Sequence, residues 1–306
     1  MALKRFFYTF FAAIWLCTYT VVLSGQELIV YVVPPPESIN WESPSTLMRS
    51  TFSNTLKTKL GPKEYPIGHL YIGLRHLENG EELWTGTTRA TRNSTNRKVL
   101  RKGYGLGILF ADIEGRLQVT EEVKASMANI EERHPSSYLR IDLSEENYQR
   151  LKEYLIEYDQ RNFGSIYNGL NKPRKGLGAG CAEFGISFFE VAGIDISDWV
   201  DEWAVEVLVP ESLVGGFGSN RHVSLLKLLF SRNWATEDDP HFVFRVFEPY
   251  LMHHWIVDQW VEEGEELASG WVSEKNSKVR GLSLDQSEVY PPEDPIFLLV
   301  GEGSAP

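Results

Sequence analysis

Gly178-Ala179-Gly180-Cys181-Ala182-Glu183-Phe184 is a glycine loop that brings a cysteine to the start of a helix. Gly178 and Gly180 admit backbone shapes and close approaches that a side chain forbids. Phe184, Phe188 and Val191 then recur at three-to-four-residue spacing, the mark of an apolar helix face, and Gly193 fits its stop. A cysteine in the first turn lies among unpaired N–H groups at the positive end of the helix dipole, which favours the thiolate. The same N–H groups suit a developing oxyanion. The competing reading is a buried structural cysteine.

Outward from this loop, the 306 residues suit one large domain or two small ones, and a hydrophobic content of 42% fills a real core. A net charge of -12 argues against a dedicated nucleic-acid binder, because phosphate backbones reward basic surfaces, but leaves room for a local basic pocket. Lys4 and Arg5 precede an apolar run from Phe6 to Leu23, and Val22-Leu23-Ser24 resembles a signal-peptidase site. Residues 1–25 therefore read as an export signal, with an uncleaved membrane anchor as the alternative. Leu16 before Cys17 argues against a lipoprotein anchor. Signal removal leaves Cys181 alone in a compartment where cysteines pair, so it is either buried or used. The expected location is periplasmic or secreted.

The remaining chain supplies partners for the thiol. Leu28 to Val33 reads as a strand, halted by Pro34-Pro35-Pro36, in a lead-in segment (26–65) wrapping the domain. In Gly68-His69-Leu70-Tyr71-Ile72-Gly73-Leu74, alternation puts Leu70, Ile72 and Leu74 on one face and His69, Tyr71 and Gly73 on the other. Asn79-Gly80 predicts a two-residue hairpin, which places Thr88 opposite Tyr71 and puts Trp84 and Glu82 on the His69 face. Arg89 to Lys102 holds six basic residues and no acid, a solvated loop or a clamp for a carboxylate-bearing ligand. Tyr104 to Leu117 reads as a strand, Glu121 to Glu132 as a short charged helix and Tyr138 to Leu143 as another strand. Ser144 caps a helix with Tyr148, Leu151, Leu155 and Tyr158 on its apolar side. Lys172, Arg174 and Lys175 lie just before the cysteine, where positive charge would depress its pKa. His253, His254 and Asp258, with His222 and His241, match no metal-ligand spacing, so neither metal nor cofactor is expected.

The order of His-strand, hairpin, strand, helix, glycine loop and Cys-helix resembles the circularly permuted papain-like thiol hydrolases, which include the YiiX-type proteins and the relatives of lecithin retinol acyltransferase. The resemblance rests on Gly68-His69-Leu70-Tyr71-Ile72-Gly73-Leu74, on Leu143-Ser144 through to Tyr167, and on Cys181-Ala182-Glu183-Phe184. It covers about residues 65–195. It implies an α+β fold, with an antiparallel sheet packed against the Cys-bearing helix and a C-terminal elaboration. Residues 26–198 would form the thiol hydrolase domain and 199–306 an extension packed on it. By position, Cys181 resembles the family's nucleophile and His69 its base. The family also places a His, Glu, Asn or Gln after the histidine strand to orient the imidazole; here Glu82, Thr88 and His76 are the candidates, and the choice stays open.

Thiol acyl chemistry needs an anionic nucleophile, a base within reach and oxyanion donors. The expected function is thus an exported cysteine hydrolase that cuts an amide through a Cys181–His69 dyad. Its substrate would be a small peptide or acyl-amide, such as a cell-wall peptide, with no nucleic-acid partner and membrane contact only through an uncleaved N-terminal segment. A lipid-directed acyltransferase or thioesterase, with the Trp-rich C-terminal region shaping an apolar groove, is the second enzyme reading. A catalytically inactive binding module is the third.

Overall fold

Leu28-Ile29-Val30-Tyr31-Val32-Val33 is buried on both sides and forms the middle of the principal sheet. A computed structural model describes residues 25–60, 65–91, 98, 102–133, 135–216 and 221–299. The stretch expected to be an export signal (1–25), apart from Gly25, lies outside the described residues, as does most of the Arg89–Lys102 stretch. Among the described residues the elements run β1 (Gln26–Val33), α1 (Pro44–Leu60), β2 (His69–His76), β3 (Glu81–Thr85), β4 (Thr87–Arg89), β5 (Ile113–Leu117), α2 (Thr120–Arg133), β6 (Ser137–Leu143) and α3 (Glu145–Gln160). They continue with β7 (Ile166–Tyr167), α4 (Cys181–Ala192), α5 (Ser197–Val200), β8 (Ala204–Pro210), α6 (Leu225–Phe230), β9 (His241–Phe247), α7 (Pro249–Gln259), β10 (Val272–Asn276) and β11 (Val279–Gln286).

The fold is α+β. Six strands form one sheet in the order β10-β11-β6-β1-β2-β3, antiparallel at every pairing except β11 with β6. Side-chain alternation gives that sheet two apolar faces. Leu28, Val30, Leu70, Ile72, Leu139 and Ile141 meet Tyr148 and Leu151 of α3 and Phe184 and Phe188 of α4 on one side. Ile29, Tyr31, Tyr71 and Trp84 meet Val123 and Ile130 of α2 on the other. Two smaller sheets, β4-β5-β7 and β8-β9, flank the first. The segment 26–65 is therefore not a wrapping lead-in: β1 pairs with both β2 and β6, and Leu47 of α1 is buried in a second core cluster.

Several local expectations meet the structure directly. Ser144 caps α3, its hydroxyl accepting the Asn147 N–H at 3.3 Å. The β2–β3 turn spans four residues, since His76 pairs with Glu81, and this moves Thr85 opposite Ile72. The shift is two residues, so the faces are kept and Trp84 still packs over Gly73. Beyond Thr85 the chain leaves the main sheet, and Thr88 pairs with Arg116 of β5. Tyr104 to Leu117 is strand only from Ile113 onward; Leu106–Leu109 is a turn of 3-10 helix.

The C-terminal third adds β10 and β11 to the main sheet and a tryptophan cluster to its core. Trp203 and Trp271 are fully buried and Trp255 nearly so, with Trp199 packed against all three. These rings fill the core rather than line a groove. Helix α7 begins at Pro249, whose ring lies where a Cβ on Gly68 would stand (2.7 Å), and Gly68 takes a φ of 79° immediately before His69.

Glu248, just before that proline, is only 4% exposed. Its Oε2 accepts the Trp41 indole N–H at 2.8 Å, while Oε1 has no partner among the described residues. Burial pushes this carboxyl up to about 7, overcoming the Trp41 bond and a backbone bond from Ile39, both of which lower it. A carboxyl raised in the fold favours the native state most when protonated. Stability from this site is thus full below the ordinary value of 4.5 and is lost as pH rises to about 7. Glu248→Gln keeps an acceptor for Trp41 and cannot ionise. It is expected to gain roughly 2–3 kcal/mol over the parent at pH 8 relative to pH 5. Urea midpoints at the two pH values check this, and an equal difference at both would count against it.

Candidate active site

Cys181 is the first residue of α4, with Gly180 at the N-cap, and is 5% exposed. The approach loop is held by backbone and side-chain bonds. Gly180 N–H donates to the Asn168 carbonyl at 2.7 Å, Asn171 donates to the Gly178 carbonyl at 2.7 Å, and the Ala179 N–H reaches the Tyr158 hydroxyl at 3.2 Å. A Cβ on Gly178 would fall 2.2 Å from the Phe163 carbonyl and 2.3 Å from that of Ile166, so only glycine fits. The glycine pattern that singled out this loop thus has a packing cause.

His69, the first residue of β2, is the partner. Strand β2 packs against α4, and a Cβ on Gly185 of that helix would lie 2.9 Å from Leu70. Burial alone would push the Cys181 thiol up; the charge of His69, its hydrogen bond to the sulfur, the Leu70 N–H and the Tyr167 hydroxyl outweigh burial and hold the thiol below its ordinary value. Lys172 pairs with Glu183 at 2.8 Å, and Arg174 ties down the C-terminal segment through Asp294 at 2.7 Å. The largest influence that lowers the thiol is the charge of His69.

The imidazole is fixed on three sides. Tyr65 stacks on it at 4.2 Å with ring planes 5° apart, and Tyr71 meets it edge-on at 4.6 Å. The third contact is Gln118, whose Oε1 lies 2.7 Å from Nε2. Oε1 is an acceptor, so Nε2 carries the proton and Nδ1 is the nitrogen left to serve the sulfur. Gln118 immediately follows β5 and is anchored by its own backbone: its N–H donates to the Gly86 carbonyl at 2.8 Å, and its carbonyl accepts the Thr85 hydroxyl at 3.0 Å. Its amide also reaches Glu122 at 3.4 Å, which forms a two-pronged pair with Arg116.

None of the three residues considered as orienter is in place. Glu82 accepts the Trp84 indole N–H at 2.6 Å and pairs with Lys124. Thr88 faces Arg116 across β4–β5. His76 sits at the far end of β2, 3.2 Å from Glu145 and edge-on to Tyr148. Gln118 escaped notice because it lies one residue past the third strand, not on the hairpin strand that follows His69. The signal available was its residue type, since Gln is among those that hold an imidazole in this way.

Tyr167 completes the cluster. Its hydroxyl is 3.7 Å from the sulfur and also stands beside the Cys181 backbone N–H. Burial, followed by the neighbouring Cys181, raises this phenol far above its ordinary value, so it stays a proton donor at any working pH. Tyr167 and the N–H groups at the start of α4 together offer donors to a negative oxygen growing next to Cys181.

An open cavity of about 590 Å³ borders the same loop and is lined by Lys98, Tyr104, Asp112, Asn168 and Asn171 among others, but not by Cys181 or His69. Lys98, from the basic stretch, donates to the Asp112 carbonyl and lies over the Tyr104 ring at 5.5 Å. The histidines weighed as ligands are separately engaged. His253 bonds Ser137 at 2.9 Å and His254 packs on Tyr250 at 4.2 Å. Among the described residues no group of three or more metal-ligating side chains converges.

Gln118→Ala is expected to leave Cys181 in place but free the imidazole, slowing reaction of the thiol with iodoacetamide several-fold. Gln118→Glu, which keeps an acceptor oxygen, should restore most of the rate. A purely structural role would show instead as equal losses in both variants, tracking their urea midpoints. Comparisons with family models, with curated proteins and with solved structures find no match to this chain.

Proposed function

We propose that this chain is an exported cysteine hydrolase of the permuted papain-like kind, cutting an amide bond through Cys181 and His69. The carrying observation is that a 5%-exposed thiol is nevertheless held below its ordinary value, with His69 as the principal cause. A merely structural cysteine in such a place would be pushed the other way.

The thiolate attacks the amide carbonyl, and the oxygen takes up negative charge against Tyr167 and the first N–H groups of α4. His69, protonated at Nδ1, gives that proton to the leaving nitrogen as the C–N bond breaks, leaving a thioester on Cys181. Water, losing a proton to His69, then attacks the thioester; acid is released and the thiolate–imidazolium pair returns. Gln118 holds the ring in one tautomer throughout. The export assignment rests on the Lys4-Arg5 and Phe6–Leu23 pattern, and the cell-wall peptide assignment on that location together with the basic Arg89–Lys102 stretch.

Intact-protein mass spectrometry after mixing with slowly hydrolysed peptidyl amides tests the reading. The expected result is an adduct of the acyl group on Cys181. An adduct formed only with a lipid ester would transfer the reading to a lipid-directed acyltransferase or thioesterase. Absence of both adduct and hydrolysis across a panel of amides and esters would leave the binding-module reading.

A further inference from the structure

Two acid-free stretches of an acidic chain meet on its surface. Residues 43–60 contain Arg49, Lys57 and Lys59, and residues 221–236 contain Arg221, Lys227 and Arg232; neither holds an Asp or Glu, in a protein of net charge -12. The first contains all of α1 and the second contains α6. The helices pack side by side, with Ser45 N–H donating to the Ser231 carbonyl at 3.0 Å and Arg49 to the Leu229 carbonyl at 3.3 Å.

Leu47 and Leu228 point inward to a shared core. The outward positions are also apolar. Phe52, Leu56 and Leu60 stand four residues apart along one stripe of α1, and Leu226 and Phe230 do so on α6. Phe52 is 70% exposed, Leu60 81% and Phe230 73%. Isolated exposed apolar residues are ordinary, but five large ones on adjoining helices mark an interaction surface. Lys57 is paired with Glu37. Arg49 and Lys227 spend hydrogen bonds on backbone carbonyls, which leaves their charge in place.

We infer that α1 and α6 form a docking surface for an anionic lipid bilayer. Phe52, Leu56, Leu60, Leu226 and Phe230 enter the boundary between headgroups and acyl chains, while Arg49, Lys59, Lys227 and Arg232 meet the lipid phosphates. An apolar stripe edged by basic residues is the pattern of helices that lie in a membrane interface. A second copy of the chain fits less well, because a twofold contact would set each basic edge against its own like. The surface is independent of Cys181 chemistry and of the N-terminal apolar run.

The test is co-sedimentation of the full chain with phosphatidylcholine vesicles, with and without phosphatidylglycerol. Binding is expected to require the anionic lipid and to fall about 30-fold or more in Lys59→Glu/Lys227→Glu, at roughly fivefold per basic residue. Phe52→Ser/Phe230→Ser should lose binding too, with an unchanged urea midpoint, as suits exposed positions. Equal binding to both vesicle types, or variants that bind like the parent, would overturn the proposal and assign any binding to residues 6–23. A dimer seen by light scattering and dispersed by Phe52→Ser/Phe230→Ser, without vesicle binding, would overturn it in favour of self-association.

Discussion

Cys181→Ala protein is expected to lose amide hydrolysis by about 10⁴-fold or more while keeping its fold. A covalent nucleophile has no substitute: without the sulfur, what remains is the weak assistance of the oxyanion donors and of binding. The substitution removes one buried atom at the head of α4 and leaves Gly178 and Gly180, with the bonds that hold their loop, unaltered. The stability change should therefore be small beside the catalytic one. Steady-state rates together with urea midpoints separate the two, and an unchanged rate in a folded variant would sink the nucleophile assignment.

His69→Ala should act on both the nucleophile and the proton transfer. Burial raises the Cys181 thiol and His69 is the largest influence opposing it, so removing the imidazole moves the thiol up. Less of the thiol is then thiolate at pH 7, and iodoacetamide alkylation should slow several-fold. The sign is specific: the variant's alkylation profile should be displaced to higher pH than the parent's. Turnover should fall further, by roughly 10²–10⁴-fold, because the leaving nitrogen loses its proton donor. Matching alkylation profiles for parent and variant would show a thiol indifferent to His69.

Much of this site can be read before any coordinates. The Cys181 loop is legible because its glycines answer two local demands: Gly178 sits against two carbonyls and Gly180 serves as the helix N-cap. His69 is legible because strand alternation is a short-range property, which survives an error in turn length provided the error is even. That is what happened at Asn79-Gly80: the turn is four residues long, the pairing shifts by two, and Trp84 keeps its face. Gln118 is harder. It reaches His69 only because the chain leaves one sheet at Gly86 and β5 returns beside it, a matter of tertiary path rather than spacing.

The misplacement of β1 has a different cause. Six consecutive apolar residues from Leu28 to Val33 are the pattern of a strand covered on both faces, yet the proline run and the Ser/Thr-rich stretch after it read as surface chain. Both readings are locally correct, and the boundary between them falls at Val33. Nearness in sequence does not decide pairing either: Lys172 and Arg174, close before Cys181 in the chain, pair with Glu183 and Asp294.

The parallel pairing of β11 with β6 governs when the protein can finish assembling. As the chain leaves the ribosome, β1 and β2 can pair as soon as residue 76 has emerged, and β6 can join once residue 143 follows. The outer edge of β6 then waits for Arg280–Gln286, more than a hundred residues later. During that interval Tyr138 to Leu143 presents a strand with one apolar face and unpaired backbone groups, the kind of edge on which neighbouring chains add. A nascent or truncated chain ending before β11 should therefore need a chaperone or aggregate, whereas one ending just after Gln286 has its edge closed by the β10–β11 hairpin.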